Sequence, residues 1–207
     1  MGGQVLESSR QEKDLGVLID EGLKPSAHCA KAASKGNMIL GQLTRACTWR
    51  DPGNLTKLYK VYVRPHLEYA QTSCAPWHLG DIEVIEKVQQ RFTRMVSGMG
   101  HMSYPERLAT LGLTTLQTRR EMGDMIETYK VDVNASTWFT LLNNREGAAS
   151  TRGTSGYLNL ERRDAKLDLR LNQFSIRVVI SCNSLPDNIK SQETLNGFKN
   201  AYDNYKR

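Results

Sequence analysis

Residues 51–65 are DPGNLTKLYKVYVRP, and this stretch contains the start signal, the apolar face and the stop signal of one helix. Asp51 can accept backbone N–H bonds as the N-cap, and Pro52 suits the first helical position because no donor is needed there. The residues at i, i+3, i+4 and i+7 that follow are apolar or aromatic: Leu55, Leu58, Tyr59 and Tyr62. The stretch therefore predicts a helix with one buried face.

Pro65 should end this helix or kink it near Arg64, because proline cannot donate to the preceding turn and disfavours helical geometry at the residue before it. We expect a second helical segment at residues 66–75. On the amino-terminal side, Ser26 provides a helix start, and apolar residues at helical spacing predict a helix over residues 27–47.

Capping signals predict further helices downstream. Asp81 is a candidate N-cap for a helix that Gly98 would stop, and its apolar face consists of Ile85, Val88, Phe92, Met95, Val96 and Met99. Ser103 and Glu106 have the spacing of a capping box, which predicts a short helix. A longer helix follows from Leu116, with an apolar side formed by Met122, Met125, Ile126, Tyr129 and Val133.

The carboxy-terminal part has weaker signals. Residues 143–156 are rich in Gly, Asn, Ser, Thr and Arg without apolar periodicity, which indicates a linker or mobile loop. Leu167, Leu169 and Leu171 alternate with charged residues and predict a short strand. Two closing helices are expected, one over residues 174–181 and one with its apolar side at Leu195, Phe198 and Tyr202.

Near the amino terminus, residues 15–19 form a short apolar run with Gly16 inside it, which predicts a buried strand at a tight turn. The predicted fold class is therefore mainly α. A helical bundle is preceded by a short β element and followed by a small mixed α/β carboxy-terminal region. The chain of 207 residues is long enough for one sizeable core or two small ones.

The positive charge is concentrated in one part of the chain. The net charge is +6, and residues 24–64 contain eight Lys or Arg residues but one acid, Asp51, whereas residues 81–130 contain seven of each sign. A local basic block suits a phosphate backbone, because neutralising phosphates releases condensed counterions. A solvated, lysine-rich helical face is the alternative interpretation.

The sequence shows no recognisable catalytic or metal-binding motif. Cys29, Cys47, Cys74 and Cys182 are widely separated, so we interpret them as reduced thiols. Cys74 with His66 and His78 is a loose group that lacks the second ligand pair of a structural zinc site. No nucleophile elbow, phosphate-binding glycine loop or His-Glu-x-x-His pair occurs.

No apolar run is long enough to span a membrane, and no signal peptide is recognisable. We therefore expect a soluble, intracellular protein of the nucleus or cytoplasm, with no membrane partner and no small-molecule substrate.

Several stretches resemble the carboxy-terminal part of the reverse transcriptases of LINE-type, non-LTR retrotransposons. They are KDLGVLID at residues 13–20, LYKVYVRPHLEYA at 58–70, Trp77, IEKVQQRFTR at 85–94, SYPERL at 103–108, LGL at 111–113 and RREMGDM at 119–125. The similarity is weak over residues 143–156 and returns at FSIRVV, residues 174–179, and NSLP, residues 183–186.

The resemblance implies four regions. Residues 1–22 would be the remnant of the palm end with the primer grip, and residues 23–133 a helical thumb. Residues 134–160 would be a linker and residues 161–207 a carboxy-terminal helical region. The Tyr-x-Asp-Asp signature of the catalytic palm is absent, so this chain is expected to lack polymerase activity. It would need no cofactor, with Mg²⁺ expected for the missing palm alone.

The resemblance also implies a set of nucleic-acid contacts. Leu15 and Gly16 occupy the place of the primer grip, where a glycine permits close approach of the backbone to nucleic acid. The candidates for sequence-independent phosphate contacts are Lys31, Lys35, Arg45, Lys57, Lys60 and Arg64. The expected partners are an RNA/DNA template–primer duplex and retroelement RNA.

Five other basic residues lie in the resembling motifs but are close enough to acids for structural pairing, which we favour. They are Arg91, Arg94, Arg107, Arg119 and Arg120, with Glu86, Glu106, Glu121 and Asp124 as the acids. Trp49, Tyr69 and Trp77 could stack on bases, but aromatic residues beside helical faces are more often part of a core.

One position departs from the family pattern. Cys182 stands where the family usually has a Trp, a change that would cost about 3 kcal/mol in a core unless neighbours fill the space. Two alternatives to a nucleic-acid-binding polymerase fragment remain open. One is a helical structural or protein-interaction domain, and the other is a retroelement relic without a function.

Overall fold

The structure is a computed structural model, and it describes residues 9–48, 50–134 and 165–206, with the backbone alone for residues 131–134. The described chain is mainly helical with a two-stranded antiparallel sheet near its amino terminus, as predicted. The described residues form two compact units, one within residues 1–117 and one within residues 118–207. No helix of the described part is long and apolar enough to cross a membrane.

The first unit begins with a hairpin and continues as helices. Its elements are β1 (Gln11–Asp14), β2 (Val17–Asp20), α1 (Ser26–Ala46), α2 (Pro52–Leu58), a π-helical segment (Tyr59–Val63), α3 (Arg64–Leu67), α4 (Leu79–Met95) and α5 (Tyr104–Leu111). The strand predicted at residues 15–19 is present as β2. It is partly exposed rather than buried, since the hairpin lies at the surface.

The start of α2 is as predicted. Oδ2 of Asp51 accepts the backbone N–H of Asn54 at 3.0 Å, and Pro52 occupies the first turn. Helix α1 also matches its predicted extent within one residue at each end.

The region around Pro65 differs from the prediction. The chain remains helical through Pro65, and the helix ends at Leu67 instead of continuing to residue 75. Immediately before the proline, the backbone forms a π-helical turn in which the N–H of Arg64 bonds to the carbonyl of Tyr59, five residues earlier. We attribute this wider turn to the proline ring, which would otherwise crowd the carbonyl four residues before it.

Helix α4 begins two residues before its predicted cap, Asp81. Because Asp81 lies in the first turn, its carboxylate is free to accept another hydrogen bond, and it takes one from Oγ of Ser26 at 2.7 Å. The capping box of α5 is confirmed, since both the backbone N–H and the hydroxyl of Ser103 donate to Oε2 of Glu106 at 2.7 Å. These bonds hold the pKa of Glu106 below its ordinary value.

The core of the first unit lies where α1, the π-helical segment and α4 meet. Its fully buried centre includes Leu40, and the rings of Tyr59 and Phe92 stack there with centroids 4.1 Å apart. The hydroxyl of Tyr59 donates to Oε1 of Gln89 at 2.8 Å. Gly36 permits close packing of α1, because a Cβ at this position would lie 2.9 Å from Cδ2 of Leu67.

The second unit has its own core. Its elements are the main part of α6 (Leu116–Asn134), α7 (Asp168–Leu171), α8 (Phe174–Asn183), α9 (Asp187–Lys190) and α10 (Leu195–Lys206). Asp124 accepts two hydrogen bonds from the guanidinium of Arg177, both at 2.8 Å, which links α6 to α8. Cys182 is buried in this core with Val178, Val179, Phe198 and Tyr202.

The strand predicted over residues 167–171 was wrong, because Asp168–Leu171 is a short helical turn. No strand occurs among residues 165–206, so the described carboxy-terminal region is helical rather than mixed. The two closing helices are confirmed as α8 and α10. The predicted linker at residues 134–160 lies outside the described residues apart from Asn134.

Candidate nucleic-acid interface

The hairpin presents Leu15 and Gly16 at its tip. Asp14 pairs with Val17 across the two strands, so Leu15 and Gly16 between them form a two-residue loop. Both have positive φ angles, +44° at Leu15 and +90° at Gly16, which is the pattern of a type I′ turn. Leu15 is 86% exposed. The turn therefore displays an apolar side chain to solvent in a backbone conformation that costs a non-glycine residue about 1–2 kcal/mol.

Tyr69 lies against this turn. Its hydroxyl donates to the carbonyl oxygen of Leu15 at 2.5 Å. A Cβ at Gly16 would lie 3.2 Å from the same hydroxyl oxygen and 3.3 Å from the ring. A side chain at Gly16 would therefore meet both a strained φ and a close neighbour.

A cleft of about 560 Å³ lies beside the hairpin. It is lined by Lys13 and Gly16 from the hairpin and by Lys31, Ser34, Lys35 and Met38 from α1. Three lysines line one open concavity, an arrangement that would suit a polyanion, and the serine hydroxyl adds a hydrogen-bond donor.

The four lining residues from α1 belong to one exposed face of this helix. The exposed residues of this face recur at helical spacing: Lys31, Ser34, Lys35, Met38, Gln42 and Arg45. Arg45 lies fourteen residues after Lys31, a distance of about 21 Å along the helix axis. Three of the predicted phosphate contacts, Lys31, Lys35 and Arg45, therefore share one face, and two of them line the cleft with Gly16.

The other three predicted contacts lie elsewhere in the first unit and do not line the cleft. Lys57 is exposed at the end of α2, and Lys60 is partly buried in the π-helical segment. Arg64 begins α3, and its Nε lies 3.7 Å from Oε1 of Glu68, one turn further along. This carboxylate neutralises part of the positive charge that Arg64 would offer to a phosphate.

The sequence interpretation missed three lining residues, Lys13, Ser34 and Met38. Ser34 and Met38 could have been found from spacing, because they lie three and seven residues after Lys31 on the same helical face. Lys13 had no comparable signal. Its place at the cleft depends on the hairpin folding next to α1.

Two arginines of the resembling motifs, Arg91 and Arg107, donate to neutral side chains. Nε of Arg107 donates to Oγ1 of Thr93 at 3.0 Å, and Arg91 donates to Asn37 at 3.1 Å. Glu86 accepts hydrogen bonds from Tyr104 and from the N–H of Leu116, and Glu106 accepts one from Ser103. Glu121 lies near Lys206, and Asp124 accepts a hydrogen bond from Arg177.

The described residues contain no group of three or more His, Cys, Asp or Glu side chains that could hold a metal ion. Burial raises the pKa of the Cys74 thiol, and the nearby carboxylates of Asp20 and Asp81 raise it further. The thiol is therefore protonated at neutral pH, which disfavours both nucleophilic and ligand roles.

Comparison with known proteins gives no match among family models, curated proteins or solved structures.

Proposed function

We propose that this chain is the primer-grip and thumb part of an RNA-directed DNA polymerase of a LINE-type, non-LTR retrotransposon, and that it binds the backbone of a template–primer duplex. Catalysis and Mg²⁺ binding would belong to a palm that this chain does not include. The family assignment depends on the motifs in the sequence. The binding role depends on one structural observation, which is the cleft between the hairpin and α1.

The cleft supports the proposal because it joins two predictions that concern separate segments of the sequence. The hairpin tip with Gly16 was expected to approach nucleic acid closely, and Lys31 and Lys35 were expected to contact phosphates. All three line the same concavity, and Lys13 adds a third lysine to the lining. Contacts of this kind neutralise phosphates irrespective of base sequence, so the binding should depend on salt and not on the template.

The test is a titration of a labelled RNA/DNA hybrid followed by fluorescence anisotropy at several salt concentrations. Wild-type protein should bind more weakly as salt rises, because each neutralised phosphate contributes a slope of about −0.9 in log K against log[salt]. Replacing Lys31 and Lys35 by Ala should make this slope shallower by about two. The wild-type protein must be folded at every salt concentration used, which circular dichroism can establish.

The matched control is the double variant Lys57→Ala and Lys60→Ala, which loses the same charge outside the cleft. If the cleft is the interface, the control should keep most of the affinity and the salt slope of wild type. An equal loss of affinity in both variants would mean that net charge, rather than the cleft, determines binding. No binding by folded wild-type protein at low salt would overturn the proposed function.

A helical protein-interaction domain is the second candidate. The observation that favours it is the exposure of Val61 and Tyr62, at 63% and 54%, in the π-helical segment. Exposed apolar side chains of this kind are common in protein interfaces. This candidate predicts no salt-dependent affinity for the duplex, and it predicts weaker association with a protein partner when Val61 and Tyr62 are replaced by Ser. A folded chain that binds neither the duplex nor a protein partner would be a relic.

A further inference from the structure

We infer that Tyr69 is a positioning residue of the interface, which holds the hairpin tip in the orientation that nucleic acid requires. This inference rests on the proposed function. It assigns a role to a residue whose side chain does not line the cleft and which would act through Leu15 and Gly16.

The first observation is a chain of hydrogen bonds that connects the hairpin to the helical part of the first unit. The N–H of Leu18 lies 3.4 Å from Nδ1 of His28, and Nε2 of His28 lies 3.5 Å from the carbonyl oxygen of Tyr69. The hydroxyl of Tyr69 then donates to the carbonyl of Leu15. Both His28 contacts are satisfied by one neutral tautomer, in which Nδ1 accepts and Nε2 donates. The hairpin is thus held at Leu18 on its second strand and at Leu15 at its tip.

The second observation is the distribution of backbone strain. Among the described residues, three that are not glycine have positive φ: Leu15 at +44°, Leu23 at +53° and Ala70 at +54°. Leu15 is the residue to which Tyr69 donates, Ala70 directly follows Tyr69, and Leu23 lies in the connection from the hairpin to α1. Conformations of this kind persist where surrounding contacts impose them, and they concentrate at functional sites.

The third observation is the identity of the turn residues. A type I′ turn is most favourable with Asn followed by Gly, yet this chain has Leu at the first position. Leu15 does not favour the turn by its own preference, and its side chain is almost fully exposed. The hydrogen bond from Tyr69 therefore supplies part of the free energy that keeps Leu15 in this conformation. The tip would be displayed correctly for a duplex because Tyr69 holds it there.

The experiment compares duplex affinity and its salt dependence in wild type and Tyr69→Phe, which removes the hydroxyl and keeps the ring. We expect the affinity to fall about fivefold, the equivalent of one typical hydrogen bond. The salt slope should stay that of wild type, because the lysines that neutralise phosphates are unchanged. Tyr205→Phe, the same chemical change at an exposed tyrosine of α10, is the matched control and should bind like wild type.

A second pair of variants shows whether Tyr69 acts through the turn. Leu15→Asn restores the preferred Asn-Gly sequence, so the turn no longer needs the hydrogen bond from Tyr69. Tyr69→Phe should therefore reduce the affinity less when Leu15→Asn is already present than it does in wild type. Equal reductions in the two backgrounds would overturn the inference, because Tyr69 would then act independently of the turn.

The two proposals fail in different ways. If wild type binds and Tyr69→Phe binds equally well, the role of Tyr69 is wrong while the cleft remains the interface. A shallower salt slope in Tyr69→Phe would also overturn the role, since it would mean lost phosphate contacts. If folded wild type does not bind, the proposed function fails, and the role of Tyr69 fails with it.

Discussion

The β1–β2 hairpin and the helical core of the first unit are stabilised in different ways. Leu40, Tyr59 and Phe92 in the core are completely buried, whereas all four residues of β1 are exposed. The hairpin is only partly buried, and Tyr69 and His28 make polar contacts that join it to the helices. Burial of apolar area provides most of the folding free energy, so we expect the hairpin side of the candidate interface to be less stable than the α1 side. Substitutions should therefore separate stability from binding.

The largest expected effect is in the core. Replacing Phe92 by Ala removes a ring that stacks on Tyr59 and should reduce the free energy of unfolding by about 3–5 kcal/mol. Leu79→Ala on the same helix is the control, because Leu79 is 79% exposed and should change stability by no more than about 0.5 kcal/mol. Urea denaturation measures both. Equal effects at the two positions would contradict the packing of α4 against Tyr59.

A smaller effect is expected at the two glycines of α1. A Cβ at Gly36 would lie 2.9 Å from Leu67 and 3.1 Å from Val88, whereas a Cβ at Gly41 would have no neighbour within 4 Å. Both Ala variants gain about 1 kcal/mol of helix propensity, but Gly36→Ala also incurs about 1–3 kcal/mol of overpacking.

We therefore expect Gly41→Ala to raise the thermal midpoint and Gly36→Ala to leave it unchanged or lower it. Because the propensity gain is shared, the difference between the two variants measures the packing of α1 alone. A higher midpoint for Gly36→Ala than for Gly41→Ala would show that α1 does not approach Leu67 and Val88 as described.

The smallest effect on stability is expected at the hairpin tip. Leu15→Asn should stabilise the turn by about 1 kcal/mol, because Asn tolerates positive φ better than Leu does. Amide hydrogen exchange at Val17 and Leu18 should slow, while the global midpoint changes little. Faster exchange in this variant would contradict the type I′ turn.

The helix starts were predictable because each depends on a few neighbouring residues. Asp51 with Pro52, and Ser103 with Glu106, make the capping contacts that their spacing predicts. The errors arose where local signals were short or in conflict. Three alternating leucines at residues 167–171 resembled a strand, but a strand needs a pairing partner. The described residues there form a helical turn, in which the N–H of Leu171 donates a hydrogen bond to the carbonyl oxygen of Leu167.

The candidate site was predictable in part. Gly16, Lys31 and Lys35 were named from the sequence and lie together, and helical spacing alone places Arg45 on the face of Lys31. The separation of Lys57, Lys60 and Arg64 from the cleft was not predictable. Residue spacing says nothing about how α2 and the π-helical segment pack against α1.

The sequence by itself determined the mainly helical fold, the apolar face of α4 and the basic character of residues 24–64, because each is a property of neighbouring residues. Tertiary structure alone decided that Lys13 joins Lys31 and Lys35, and that Tyr69 meets Leu15 across 54 positions of the chain. Such contacts depend on how whole elements pack. That packing is set mainly by burial of the shared core, and residue spacing along the chain does not reveal it.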